Sequence, residues 1–394
     1  MLDYKREFRK NNKQNHVIDI FRKYKILSKK LVKDYSKYAM STVIDIFNAL
    51  ISRKIIIPKN IDEEIKPGRK SEFYKLNTYL YLYLGFTFTQ SGMYFSLVSF
   101  TGEIIKTYYN ELNFKIKKKE FVDIITDYLI KIIKENRKYI KNITSINCSI
   151  PGNIDETGKL IKYTLMPQLD NLNFKVIFKS VFKNKKIYFN NNISGFLGYF
   201  LFNDDVIKNY DKILLISLRS GVANGIIFKG QILSSNGEIG HVKVGNENRK
   251  CICGRIDCLD LYLSHKIISD EILTYLKISK IKQLSIDEII KHYKSNNDKI
   301  KEIIDEKFLK LSSAILDSIN IISPNLIILS GELFNCYDEP KEKIKYFISK
   351  IFEDSRYVKN YFNTKIIYKD LDTISSSVGL CYSRIKDEFN YYIE

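Results

Sequence analysis

Gly237–Asp260, GEIGHVKVGNENRKCICGRIDCLD, is the stretch on which the reading of this chain turns. His241, Cys251, Cys253 and Cys258 stand in it at the spacing H-x9-C-x-C-x4-C. One imidazole and three thiolates form a closed four-coordinate set of the kind zinc favours, with no position left for a reacting water. An ion held this way is structural; three free thiols are the other reading. The ion pins a loop, Asn246-Glu247-Asn248-Arg249-Lys250, that has few apolar residues of its own, and it needs its ligands deprotonated. The set draws on three of the six Cys and one of the four His in the chain. The other histidines, His16, His265 and His292, fall in polar or helical settings and read as surface groups. Cys148, Cys336 and Cys381 sit beside strand or helix patterns and read as buried small hydrophobes.

Around this knot lies ordinary globular sequence. The chain has 394 residues, 45% hydrophobic and 28% charged, enough for two or three domains with cores of their own. Six Cys over that length make no disulfide framework. The longest uncharged stretch, Leu76–Gly102, is full of Tyr, Thr, Ser and Gly and alternates like strands, so no membrane insertion is expected. The opening MLDYKREFRKNNKQ lacks the apolar core of a secretion signal, and a cytoplasmic protein is expected.

Working toward the N-terminus, charge is uneven. Of a net +19, residues 1–80 hold 19 Lys/Arg against 9 Asp/Glu, whereas the other 314 residues hold 45 against 36. A nucleic-acid-binding head accounts for that asymmetry; a lysine-rich compositional bias competes with it on charge alone. Element order separates the two. Val17–Tyr24 spaces Val17, Ile20 and Phe21 along one helix face, and Ser28 is placed to cap a short second helix, Lys29–Asp34. A third helix runs from about Ser41 to Arg53, with Val43, Ile46, Phe47 and Leu50 inward and Ser41, Thr42, Asp45 and Asn48 outward. Ile55–Pro58 and Phe73–Leu76 read as wing strands about a basic turn, Lys66-Pro67-Gly68-Arg69-Lys70. Three short helices and a wing place the third helix in a major groove, with Arg69 and Lys70 on phosphates. A small helical protein-interaction domain is the other reading.

The rest reads as an α/β body. Strand runs Tyr79–Phe86, Met93–Phe100 and Ile104–Tyr109 precede a helix, Lys119–Tyr139, and a strand, Ser145–Ile150. The order repeats loosely with Lys212–Leu218, Asn224–Lys229, Gln231–Leu233, helix Glu302–Ile321 and strand Leu326–Leu329. The expected fold is a winged helix-turn-helix, 1–78 with its linker, followed by a two-lobed actin-like (ribonuclease-H-like) ATPase fold, 79–394. Its smaller lobe is expected over 79–195 plus a C-terminal helix 377–394, and its larger lobe over 196–376.

GEIGH…CICG…CLD resembles the signature of the ROK family, repressors and sugar kinases that share a zinc-bearing actin-like fold. The resemblance covers essentially the whole chain. Pro151-Gly152 with Glu156-Thr157-Gly158 resembles the family's proline-glycine loop, and Ser323–Gly331 its late strand ending in glycine. A DNA-binding head just ahead of the body resembles the repressor branch. The resemblance implies that His241, Cys251, Cys253 and Cys258 are Zn2+ ligands. It places Asn191 and Asn192 where the family has a sugar-binding asparagine-aspartate pair. It matches Glu238 to a sugar-binding glutamate, sets Asp260 where a glutamate usually follows Cys-Leu, and puts His241 beside the sugar.

Departures from the kinases bear on activity. Phosphoryl transfer needs a carboxylate for the hydroxyl proton and glycine-rich turns around the phosphates. Asn192 at the base position cannot take that proton. Leu84-Gly85-Phe86-Thr87 is read as the first phosphate turn, blocked by Phe86, and Ser217–Gly225 as the second, filled by Arg219. The expectation is a regulator without enzymatic activity, a sugar-responsive repressor of carbohydrate uptake or metabolism genes. Its partners would be a palindromic, AT-rich duplex operator, a sugar or sugar-phosphate effector, and copies of itself in a homodimer or homotetramer. An active sugar kinase with a regulatory head, and a repressor controlled by a protein partner, remain open at this point.

Overall fold

The computed structural model describes residues 2–59, 72–90, 92–113, 115–155, 157–163, 166–219, 221–281, 283–295, 297–351 and 364–389, with side chains from residue 12 onward except 234–236. Helix α1 (Leu2–Tyr24) starts well ahead of the apolar spacing at Val17, in a stretch rich in Lys, Arg, Glu and Gln, which have high intrinsic helix propensity. Strand β1 (Ile26–Ser28) follows, then α2 (Lys29–Ser36) and α3 (Met40–Ser52). Ser28 caps α2 as its position predicts, its Oγ accepting from Leu31 N at 3.4 Å. Lys37 then takes a left-handed conformation, φ 59°, and turns the chain into α3. On α3 the four expected residues, Val43, Ile46, Phe47 and Leu50, are the buried ones. Strands β2 (Ile56–Lys59) and β3 (Phe73–Leu76) pair antiparallel, and β1 adds to the far side of β3. This three-stranded sheet, order β1-β3-β2, makes the head a winged helix. The expected wing turn, with Arg69 and Lys70, lies outside the described residues.

The smaller lobe contains β4 (Leu82–Phe88), β5 (Gly92–Ser99), β6 (Ile104–Glu111), α4 (Lys118–Glu135), β7 (Ile143–Ile150), the short pair β8 (Asn153–Ile154) and β9 (Leu160–Lys162), α5 (Phe174–Val181), β10 (Lys186–Asn191) and α6 (Asn192–Asn203). The larger lobe contains β11 (Lys212–Leu218), β12 (Val222–Phe228), β13 (Gln231–Gly237), α7 (Asp260–Leu263), α8 (His265–Tyr275), α9 (Ile286–Lys294), α10 (Asp298–Ile322), β14 (Leu326–Ser330), α11 (Pro340–Ile351) and β15 (Lys365–Tyr368); α12 (Ile374–Phe389) follows. The two five-stranded sheets run β10-β7-β4-β5-β6 and β13-β12-β11-β14-β15. In each, the first strand is central, the next two add antiparallel on one side, and the last two add parallel on the other. The internal repeat is therefore one of topology, as in actin-like ATPase folds.

The chain divides into two compact units, residues 1–202 with 373–394, and residues 203–372. The smaller lobe thus keeps α6 through Phe202, where a boundary at 195 was expected, and the larger unit ends at 372 in place of 376. The reason is local. Gly195 and Gly198 on α6 face Ser376, Gly379 and Ser383 on α12 so closely that a Cβ at either glycine would overlap the opposing backbone. Within this first unit, one hydrophobic cluster joins the head to the lobe. Val17, Phe21, Val43, Phe47 and Leu50 share it with Tyr83, Val98 and Phe100 of the sheet and Val378, Cys381, Tyr382 and Ile385 of α12. Polar bonds reinforce the joint: the Arg22 guanidinium donates to the Phe100 carbonyl, and Tyr83 Oη donates to Glu388 Oε2 at 2.6 Å.

Candidate functional site

The segment after β13 folds into a knuckle that converges four ligand atoms. Gly254 has φ +90°, a backbone state that favours glycine, and its N–H closes a tight turn onto Cys251 O at 3.0 Å. Cys251 N in turn donates to Arg255 O at 2.8 Å. Buried Asp257 staples the other arm, accepting from Asn248 N, Arg249 N and Tyr262 Oη at 3.1, 3.0 and 2.8 Å. Burial works against the Asp257 carboxylate, yet those donors hold its pKa below the usual range.

The result is that one ligand atom each from His241, Cys251, Cys253 and Cys258 lies within 4.8 Å of every other. Cys251 Sγ is 3.6 Å from His241 Nδ1, and Cys253 Sγ is 3.6 Å from Cys258 Sγ. Metal–sulfur bonds of about 2.3 Å and metal–nitrogen bonds of about 2.0 Å in a tetrahedron imply edges of roughly 3.5–3.8 Å. The four residues therefore have the chemistry and spacing to hold a metal ion. Burial, helped by the neighbouring thiols, pushes Cys258 up to about 12, while the Arg255 backbone N–H holds exposed Cys253 below its ordinary value. Three thiols crowded in this way favour binding a cation, with release of their protons to solvent.

Residues named for effector binding fall in both units. In the first, Asn191 ends β10 and caps α6, its Oδ1 accepting from Ser194 N at 2.9 Å. Asn192 opens α6, its Oδ1 accepting from Ser149 Oγ at 3.0 Å and from Thr87 Oγ1 at 3.5 Å. In the second, Glu238 lies beside the knuckle with Oε2 3.9 Å from His241 Nε2. Partial burial raises the Glu238 carboxyl, against the pull of His241. Asp260, also raised by burial, starts α7, and its Oδ1 accepts from Val222 N at 2.9 Å. It also fills the space over Gly221 and Gly240, tying the β11–β12 turn to the knuckle.

The two expected phosphate turns fare differently. Leu84–Thr87 is not a turn: all four residues lie inside β4, and Phe86 is fully buried among Phe88, Phe95, Phe174 and Phe178. Every residue of β4 is buried, so the strand has no polar face to mark it in sequence. The chain reverses later, where Thr89 N donates to Gly92 O at 2.8 Å. The second turn is where it was expected, between β11 and β12. There Arg219 N donates to Gly221 O at 3.0 Å, and the Arg219 guanidinium donates to Glu332 Oε1 at 2.9 Å and to the Leu371 carbonyl. The side chain is bound into the larger lobe across the ends of β14 and β15.

On the head, Ser41, Asp45 and Asn48 are exposed on α3 and Thr42 is half-exposed; Ile44 is exposed with them. Sequence reasoning missed β1, which is too short for any period to show, and the commitment of Asp260 to Val222, for which no sequence signal exists.

Comparison with known proteins places these features. The sequence profile of the ROK family matches residues 96–372. A xylose repressor of Caldicellulosiruptor bescii is 22% identical over 93% of this chain and 94% of its own length. The DNA-binding transcriptional dual regulator NagC of Escherichia coli is 20% identical over 79% of this chain and 78% of its own. Among solved structures, a ROK family transcriptional regulator, homolog of the E. coli MLC protein, superposes with a TM-score of 0.73 at 19% identity over 96% of this chain and 97% of that one. A ROK hexokinase from Thermus thermophilus superposes with a TM-score of 0.62 at 13% identity, over 78% of this chain and 99% of that one.

Proposed function

The chain belongs to the ROK family, and from that premise we propose that it is a sugar-responsive transcriptional repressor of carbohydrate uptake or metabolism genes, acting in the cytoplasm without phosphorylating its sugar. The observation that carries this reading is the shared core of head and smaller lobe. Since Phe21 and Phe47 of the winged helix pack in one cluster with Tyr83 and Tyr382, a change in the lobe alters the seat of α3. The names of the xylose repressor and NagC support it. No helix among the described residues is long and apolar enough to cross a membrane.

DNA is met by α3 in a major groove, with Ser41, Thr42, Asp45 and Asn48 toward base edges and Arg69 and Lys70 toward phosphates. A homodimer or homotetramer presents paired heads to a palindromic, AT-rich operator. The effector is a sugar or sugar phosphate, with Asn191, Asn192, Glu238, His241 and Asp260 as hydroxyl-binding candidates. It acts only through the difference in its affinity for the two states of the regulator, typically about 1–3 kcal/mol. Zn2+ is the proposed ion at His241, Cys251, Cys253 and Cys258; bound there it supplies a fixed cross-link.

Loss of kinase chemistry rests on two groups. Asn192 is an amide and accepts no proton near neutral pH. Arg219, committed to Glu332 and Leu371, occupies the turn that phosphates would need. The test is a duplex enriched from a random library by the zinc-loaded full chain, then challenged with a panel of sugars and sugar phosphates. Displacement by one of them is the expected result. ATP-dependent phosphorylation of any of those sugars overturns the reading.

A further inference from the structure

We propose that Ile44 is a specificity-determining residue that reads thymine through its 5-methyl group. The proposal rests on the DNA-binding reading above. Packing fixes how α3 is turned: Val43, Phe47 and Leu50 are fully buried and Ile46 nearly so, which leaves Met40, Ser41, Ile44, Asp45, Asn48 and Ser52 outside. Ile44 lies three residues after Ser41 and four before Asn48, so the three form one row along the helix. Ile44 is 41% exposed, with polar Ser41, Asp45 and Asn48 around it and Met40, also exposed, one turn before it. A β-branched apolar residue there adds nothing to the head's core and is no better a helix former than the polar residues beside it.

Major-groove chemistry gives such a side chain one partner. Among the four bases only thymine presents a methyl group at the groove floor, and apolar side chains contact it. Asn48, one turn on, has the donor and acceptor that adenine's N6 and N7 require. The helix MSTVIDIFNALIS contains no Lys or Arg, so the usual bidentate contact to guanine is unavailable from α3 itself. A basic head supplies non-specific affinity, and this row restricts it to A·T steps.

The test replaces thymines one at a time with deoxyuridine, which deletes the methyl and keeps the pairing. The probe is the duplex enriched by the full-length zinc-loaded protein, and affinity is read by fluorescence anisotropy at fixed salt. One buried methyl is worth about 0.8 kcal/mol, so one or two substitutions per half-site should weaken binding roughly 3- to 5-fold. Ile44→Ala, which removes the contact from every head, should bind the thymine probe more weakly by at least that factor and lose its sensitivity at the same position, while Ile44→Val keeps part of it. An unchanged melting temperature in both variants shows that the head still folds. Uniform indifference to deoxyuridine, or sensitivity that survives in Ile44→Ala, overturns the proposal and leaves DNA binding standing. Failure to enrich any duplex overturns both.

Discussion

Arg219 Nη1 lies 2.9 Å from Glu332 Oε1, and this pair bolts the β11–β12 turn to the residues that follow β14. Both side chains remain partly exposed, so the pair contributes within the range of about 0–1 kcal/mol usual for surface ion pairs. Glu332→Gln should therefore cost no more than that in urea denaturation followed by far-ultraviolet circular dichroism. Arg219→Ala, which also gives up the Leu371 carbonyl, should cost about 1–2 kcal/mol. Magnesium ATP should leave the melting temperature of the parent protein unmoved. A clear upward shift would show that nucleotide finds a seat despite the bolt.

Metal removal has a predicted sign and pH dependence. The knuckle buries little apolar surface, since Ile252 and Ile256 are both exposed, so its order depends on the cross-link. The protein should hold one zinc per chain, and exhaustive chelation should lower its melting temperature. Cys258→Ala should lower metal content and stability together. Binding releases thiol protons, and burial raises the Cys258 thiol, so the stability that the ion supplies grows with pH and is lost as pH falls. Chromogenic release of zinc along a pH series checks this. Full retention in strong acid counts against thiolate ligation.

The contact between α6 and α12 should tolerate no side chain. Gly379 abuts the Gly195 carbonyl and Tyr199 N, so a methyl at either glycine must push the helices apart. Gly195→Ala and Gly379→Ala should each destabilise the first unit by about 1–3 kcal/mol. Because α12 also packs under the head, both variants should bind DNA more weakly while keeping their zinc. Normal operator affinity in a folded Gly379→Ala protein would uncouple the head from this helix.

What could be read in the sequence was what depends on local period and spacing. Val43, Ile46, Phe47 and Leu50 declared the inward face of α3, Ser28 declared the cap of α2, and the knuckle declared its ligands through chemistry that few other arrangements share. Strand β4 shows where this failed. LYLGFTF is buried on both faces, so nothing in its pattern says where the strand ends, and the turn expected at Leu84–Thr87 falls in the middle of a phenylalanine core. The packing of α6 on α12 was not legible for a related reason: Gly195 and Gly198 carry no packing signal until Gly379, far along the chain, is seen against them. Asp260 likewise has a carboxylate suited to a sugar hydroxyl, and only the fold reveals that Val222 N already holds one of its oxygens.

Three lysines invite a test that separates stability from DNA binding. Lys25, Lys37 and Lys54 follow α1, α2 and α3, and all three are left-handed, with φ of 65°, 59° and 56°. A lysine in that conformation costs about 1 kcal/mol relative to the right-handed state, a cost glycine escapes. Glycine in turn raises the entropy of the unfolded chain by a similar amount, so Lys37→Gly and Lys54→Gly should change stability by less than about 1 kcal/mol in either direction. Lys229 and Lys277 of the larger lobe share the conformation, so the backbone alone assigns these lysines no role, and their charge is tested separately. Each lysine places a cation where its helix meets the next element, and in a winged helix such turns border the DNA backbone. Each phosphate contact contributes about 0.9 to the slope of log affinity against log salt, so each substitution at a contacting lysine should flatten that slope by about that much, alike on cognate and random duplexes. Slopes that stay unchanged in both variants would place the phosphate contacts elsewhere on the head.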